Sequence, residues 1–131
     1  WCLLFLLALS LKDVVNVGKK MFVSTGKKYN FEKGKSLCAK AGSVLASPSN
    51  EAENTALKDL VDPSSQAYIG ISDAQTEGRF MYLSGGPLTY SNWKPGEPNN
   101  HKNEDCAVIE DSGKWNDLDC SNSNIFIICE L

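Results

Sequence analysis

The stretch EPNNHKNEDCAVIEDSGKWND, residues 97–117, gathers oxygen-bearing side chains more densely than any other part of this 131-residue chain. From Glu97 to Asp119 stand seven acids (Glu97, Glu104, Asp105, Glu110, Asp111, Asp117 and Asp119) against two lysines, Lys102 and Lys114. An acidic run by itself is usually a solvated face. Here the amides Asn99, Asn100 and Asn116 are interleaved with the carboxylates. Charged and neutral oxygens drawn from short loops suit a hard divalent cation, and calcium takes about six to eight of them. The stretch reads as a loop lobe that holds calcium and uses it to hold something else.

Outward from this lobe, the length allows one domain with a real core. Net charge is −3, and outside the lobe the chain is mildly basic. Lys19, Lys20, Lys27 and Lys28 read as a solvated edge, and no nucleic-acid partner is implied. The cysteines are Cys2, Cys38, Cys106, Cys120 and Cys129, with no C-x-x-C pair and a single histidine, His101. That argues against structural zinc. Four cysteines spread through the body point to disulfides and a secreted, extracellular protein, and three pairings are open to them. No Asn-x-Ser/Thr sequon occurs.

Residues 1–11, WCLLFLLALSL, are apolar except for Ser10. The run is too short to cross a bilayer and suits the apolar part of a secretory signal peptide, with Ala8 and Ser10 as a small-x-small cleavage pattern that would remove Cys2. Leu4, Leu7, Leu11 and Val14 also follow heptad spacing, as a short neck helix would. The expected division is an apolar N-terminal segment over 1–16, signal-like remnant or neck, and one domain over 17–131, with a linker at 12–20.

Within the domain, Met21–Thr25 reads as a strand. Asn30 caps a helix with Phe31, Leu37, Cys38 and Ala41 on one face, ended by Gly42. Asn50 caps a second helix, with Glu53 at the capping-box position and Ala56, Leu57, Leu60 and Val61 as its buried stripe, stopped by Asp62-Pro63. Residues 68–71, 80–83, 106–109 and 125–129 are strand candidates, the last apolar enough for a sheet centre. Residues 89–102 have little regular pattern, and a loop that long inside a compact domain is usually functional. Tyr90, Trp93 and Trp115 read as loop anchors rather than sugar-stacking platforms. The fold class is α+β, two helices on a mostly antiparallel sheet with a long calcium-binding loop lobe.

From about Val17 to Leu131 the chain resembles the C-type lectin fold, and within it the collectins. The matching pieces occur in order: the four cysteines, Tyr68-Ile69-Gly70-Ile71, Thr76-Glu77-Gly78-Arg79-Phe80, Tyr90-Ser91-Asn92-Trp93, Glu97-Pro98-Asn99, Trp115-Asn116-Asp117 and Cys129-Glu130. The resemblance implies disulfides Cys38–Cys129 and Cys106–Cys120 and a cis Glu97–Pro98 bond. It implies a principal Ca²⁺ held by Glu97, Asn99, Glu104, Asn116 and Asp117. An auxiliary Ca²⁺ is implied at Asp73, Glu77, Glu104 and Asp105, with Asn100 beside it. Asn100 stands where relatives often carry Asp, and the loop from Asn99 to Glu104 is one residue shorter than in mannose-binding relatives.

Sugar contacts are implied for Glu97, Asn99, Glu104 and Asn116, with His101 brushing the ligand. The order Glu-Pro-Asn implies mannose, fucose and N-acetylglucosamine, whereas Gln-Pro-Asp implies galactose. The expected function is calcium-dependent binding of mannose-type glycans on microbial or host surfaces in innate immune recognition, as a trimer if a neck is present. An enzyme is not expected, because His101 has no evident orienting partner or nucleophile. The rival is a protein-binding module whose calcium is structural only.

Overall fold

A computed structural model describes residues 13–74, 78–97 and 105–131. Eight strands and two helices follow one another: β1 (Asp13–Val17), β2 (Lys20–Tyr29), α1 (Phe31–Lys40), β3 (Val44–Leu45), α2 (Glu51–Lys58), β4 (Gln66–Ser72), β5 (Met81–Tyr82), β6 (Cys106–Glu110), β7 (Trp115–Leu118) and β8 (Ile125–Glu130). The sheet runs β1-β2-β8-β4-β6-β7, with β3 paired to β8 and β5 to β4. Only the β4–β8 pairing is parallel among these described strands. The α+β class and the mostly antiparallel sheet are therefore as the sequence reads.

β8 lies between β2 and β4, which explains its nearly unbroken apolar run: both of its faces are covered. Ile127 belongs to one core cluster with Val23, Phe31, Tyr68 and Val108, whereas the adjacent Ile128 belongs to another with Phe22, Leu57, Ile69, Ala107, Ile109 and Trp115. Successive strand side chains point to opposite faces, so α1 closes the first layer and α2 the second. α1 approaches closely because Gly34 faces β8, and a Cβ there would overlap Ile127 Cδ1.

Both helix caps are as read. Asn30 Oδ1 accepts from Lys33 N and Asn50 Oδ1 from Glu53 N, each at 2.8 Å. Each satisfies an amide that the first helical turn leaves without a partner. Glu53 departs from the capping-box expectation: its carboxylate accepts from Ser49 N and Ser49 Oγ, at 2.8 and 2.7 Å, and from Lys20 Nζ at 2.9 Å. The helix also ends at Lys58, so Leu60 and Val61 follow it rather than extending its stripe.

The expected linker is corrected in part. Asp13–Val17 is a strand paired with β2, so among the described residues the sheet begins at Asp13, within the expected linker, rather than at Met21. Its β-branched valines suit a strand. Gly18, at φ 56°, begins the two-residue turn to Lys20, a position that favours glycine. Leu4, Leu7 and Leu11 lie outside the described residues, while Val14 of that heptad is in β1. Lys20 is not a solvated edge residue, since its ammonium donates to Ser47 O and to Glu53. No helix among the described residues is long and apolar enough to cross a membrane.

Two disulfides close the chain, Cys38–Cys129 and Cys106–Cys120. The first ties α1 to central β8. The second joins the start of β6 to the residues just after β7, at the base of the acidic lobe.

Candidate functional site

The lobe is built on β7 and the loop that runs beside it. Trp115 is fully buried and stacks edge-on against Trp93 and Tyr90, with centroids 5.4 and 5.9 Å apart. Trp93 packs in turn on Phe80 at 4.9 Å. These aromatics are loop anchors, as the sequence implies: Trp115 has no exposed face to offer a sugar. Backbone bonds complete the attachment. Trp115 N donates to Asn92 O and Lys94 N donates to Trp115 O, both at 2.9 Å. Glu97 N then donates to Lys94 O at 2.9 Å.

Two consecutive hydrogen bonds thus link the backbone of Glu97 to the residue preceding Asn116 and Asp117. Alternation along β7 buries Trp115 and Asp117 and leaves Asn116 half-buried. Asn116 Oδ1 accepts from Asp117 N at 2.9 Å, which orients the side chain and leaves that oxygen its second lone pair.

A second group forms where β4 ends beside the start of β6. Asp73 is fully buried, its N–H donates to Asp105 O at 3.1 Å, and its Oδ2 accepts from Gly78 N at 3.0 Å. Its Oδ1 is buried with no hydrogen-bond partner among the described residues. A buried carboxylate oxygen without a donor is costly, and a cation would satisfy it. The all-oxygen chemistry of the set fits calcium.

Of the sequence-predicted residues, the structure ties the backbone of Glu97 through Lys94 to the residue before Asn116 and Asp117, and sets Asp73 against Asp105. Glu77, Asn99, Asn100, His101 and Glu104 lie outside the described residues, as does Pro98. Among the described residues no three His, Cys, Asp or Glu side chains form a metal-holding group.

Sequence reading missed Asn54. It sits in α2 at 4% exposure, accepts from Trp115 Nε1 at 2.8 Å and donates through Nδ2 to Gly113 O at 3.0 Å. Gly113 O also accepts from Asn92 Nδ2 at 2.7 Å. A polar residue one turn into an amphipathic helix carries no sign that it points inward.

At the other end of β7, Tyr68 OH donates to Asn122 O at 2.6 Å. Burial, with Asp119 close by, pushes this phenol up to about 12, so it remains a donor at every physiological pH. It steadies the turn that follows Cys120.

Comparison with known proteins agrees with this geometry. A chicken (Gallus gallus) protein named mannose-binding protein is 98% identical over 124 residues, which are 95% of this chain and 49% of that protein. The chain therefore spans about half the length of that relative. The carbohydrate-recognition domain of the mouse scavenger receptor C-type lectin superposes with a TM-score of 0.84 at 32% identity, over 90% of this chain and 92% of its own. A calcium-independent type II antifreeze protein superposes with a TM-score of 0.81 at 26% identity, over 90% of each chain. The family described as the Lectin C-type domain matches residues 27–131. On that match, which takes in every element from the end of β2 to β8, the chain belongs to the C-type lectin domain family.

Proposed function

We propose that this domain binds mannose-type sugars (mannose, fucose and N-acetylglucosamine) in a calcium-dependent manner, through vicinal equatorial hydroxyls. The principal ion would be held by Glu97, Asn99, Glu104, Asn116 and Asp117. The auxiliary ion would be held by Asp73, Glu77, Glu104 and Asp105, with Asn100 beside it. The observation that supports this reading is the pair of hydrogen bonds running from Glu97 through Lys94 to Trp115, which ties the backbone of Glu97 to the strand that carries Asn116 and Asp117.

When bound, calcium supplies coordination positions that two sugar hydroxyls can fill in place of water. The protein residues supply the rest. Each hydroxyl has a proton to give and a lone pair to spare. The Glu97 and Glu104 carboxylates would accept a hydrogen bond from the hydroxyl, while the Asn99 and Asn116 amides would donate one to its oxygen. Each ligand residue then contacts both ion and sugar, and the order Glu then Asn sets the hand in which acceptors and donors are arranged. His101 would border the sugar.

Such contacts are few and wet, so one domain binds one sugar weakly, and several copies raise avidity. A trimer formed through a neck outside this domain would provide them on a microbial or host surface, in innate recognition by a secreted protein. The two disulfides suit an extracellular setting. The similarity to a protein named for mannose binding supports the sugar class.

The fold also occurs in a calcium-independent protein, so the ion has to be tested directly. Retention on mannose-agarose with calcium, and release by a chelator or at pH 5 in low calcium, is the expected result, because protons compete with the ion for its carboxylates. Binding that survives chelator overturns the calcium role. Calcium uptake without sugar binding favours the protein-binding module.

A further inference from the structure

We infer that Asn54 is a positioning residue for the proposed calcium site, acting through Trp115 and Gly113 without touching the ion or the sugar. This rests on the site reading above and extends it into the helical layer. Asn54 belongs to α2, 61 residues before Trp115 in the sequence, yet its side chain is 4% exposed and both of its polar atoms are committed to the ligand-bearing hairpin. Oδ1 takes the indole N–H of Trp115 at 2.8 Å, and Nδ2 gives to Gly113 O at 3.0 Å.

The two bonds fix the residues either side of Lys114, just before the Asn116-Asp117 pair. The same node reaches the other ligand arm. Asn92 Nδ2 shares Gly113 O at 2.7 Å, Asn92 O accepts from Trp115 N, and Trp115 O accepts from Lys94 N, whose carbonyl accepts from Glu97 N. One buried amide therefore sets the rotamer of the tryptophan from which both arms depart. Gly113, at φ 88°, makes the turn that a side chain would strain.

Asn54→Leu keeps the branch at Cγ and the number of side-chain heavy atoms, is bulkier because methyls replace O and NH2, and offers neither polar atom. It leaves the buried indole N–H and one acceptance at Gly113 O without their partner. Groups that orient metal ligands without touching the ion commonly change metal affinity by about 10–100-fold when removed.

The experiment compares wild type with Asn54→Leu, Trp115→Phe, the double variant, and Leu57→Ala. Leu57 is fully buried one turn further along α2 and makes no link to β7 that its apolar side chain could transmit by hydrogen bonding. Calcium affinity of each folded protein is read by titration calorimetry. Backbone amide shifts of Asn116 and Asp117 are read in chelator, where no ion contributes. Asn54→Leu and Trp115→Phe should each weaken calcium about tenfold and move those two amides, and the double variant should be little worse than either single. Leu57→Ala should lower the unfolding midpoint while its folded form binds calcium as wild type does.

Wild-type affinity in Asn54→Leu, or an equal loss in Leu57→Ala, overturns the inference, since either result makes Asn54 only part of the core. If Asn54→Leu does not fold, Trp115→Phe decides in the same way. Absence of calcium uptake by wild type overturns the site reading itself, and this inference with it.

Discussion

At the scale of single residues, the proposed specificity lies in which atoms of two side chains can donate. Glu97 presents only acceptors, whereas an amide presents an acceptor and a donor. Exchanging them, as Glu97→Gln with Asn99→Asp, keeps the number of oxygens and the net charge while reversing the order of donor and acceptor around a sugar. The mannose-to-galactose affinity ratio is expected to fall by about tenfold or more, because specificity is a difference of two affinities. A glycan array on wild type and double variant, at equal calcium saturation, measures it; an unchanged mannose preference would count against the assignment. Residue types made this part of the site legible, since Glu97, Asn116 and Asp117 advertise oxygens wherever the chain places them. Asn54 was not legible for the opposite reason. Its type fits a solvated helix position, and only the arrival of Trp115 from 61 residues away makes it a buried partner.

At the scale of elements, the helix starts were readable because capping is local: Asn30 and Asn50 each bond an amide three residues on. β1 and β7 were less readable, because a short edge strand depends on what it pairs with. The same non-local dependence redirects Glu53. Lys20, at the start of β2, lies 25% exposed and donates to Glu53 at 2.9 Å, and its ammonium stands 3.6 Å from Glu130. Burial raises the Glu53 carboxyl, but hydrogen bonds from Lys20 and Ser49 outweigh it and hold the group below its ordinary value. Burial pushes Glu130 the other way, against the bonds from Ser47 and Lys20.

The two shifts have opposite consequences. For Glu53 the unfolded chain binds the proton more readily, so its contribution is present above the ordinary carboxylate range and is lost as pH falls through the lowered folded value. For Glu130 the folded state keeps the proton longer, so stability declines as pH rises from the ordinary value towards the raised one. Glu53→Gln should therefore cost about 1–2 kcal/mol at pH 7 and less at pH 3, flattening the acid limb of the unfolding curve. Thermal melts from pH 3 to pH 7 in chelator, where ion loss does not intrude, measure the difference. An equal penalty at both ends of that range would show that Glu53 acts through packing rather than charge.

At the scale of the whole molecule, the two-faced sheet explains why so much of the architecture could be read from sequence. The neighbours Ala67 and Tyr68, Ala107 and Val108, and Ile127 and Ile128 supply opposite core layers, so the central strands are apolar throughout. Helices and strands are held by that core, whereas the described part of the lobe is held by its aromatic anchors, the hydrogen bonds around Trp115 and one covalent tie. The disulfides divide in the same way. Cys38–Cys129 spans 91 residues and lies within the core, while Cys106–Cys120 spans 14 and brackets β6 and β7.

Loop-closure entropy gives the longer link about 4–5 kcal/mol and the shorter about 3. Their functional effects should separate more than those numbers do. Replacing both Cys38 and Cys129 by alanine should lower denaturant stability by the larger amount yet leave calcium affinity of the folded fraction unchanged, because neither cysteine adjoins a proposed ligand. Replacing Cys106 and Cys120 should cost less stability but weaken calcium, since Cys106 follows Asp105 directly and the bridge fixes where β7 ends after Asp117. Urea unfolding in chelator, paired with calcium titration of each folded variant, tests both halves. If the shorter bridge can be removed with no loss of calcium affinity, the lobe is organised by Trp115 and its hydrogen bonds alone.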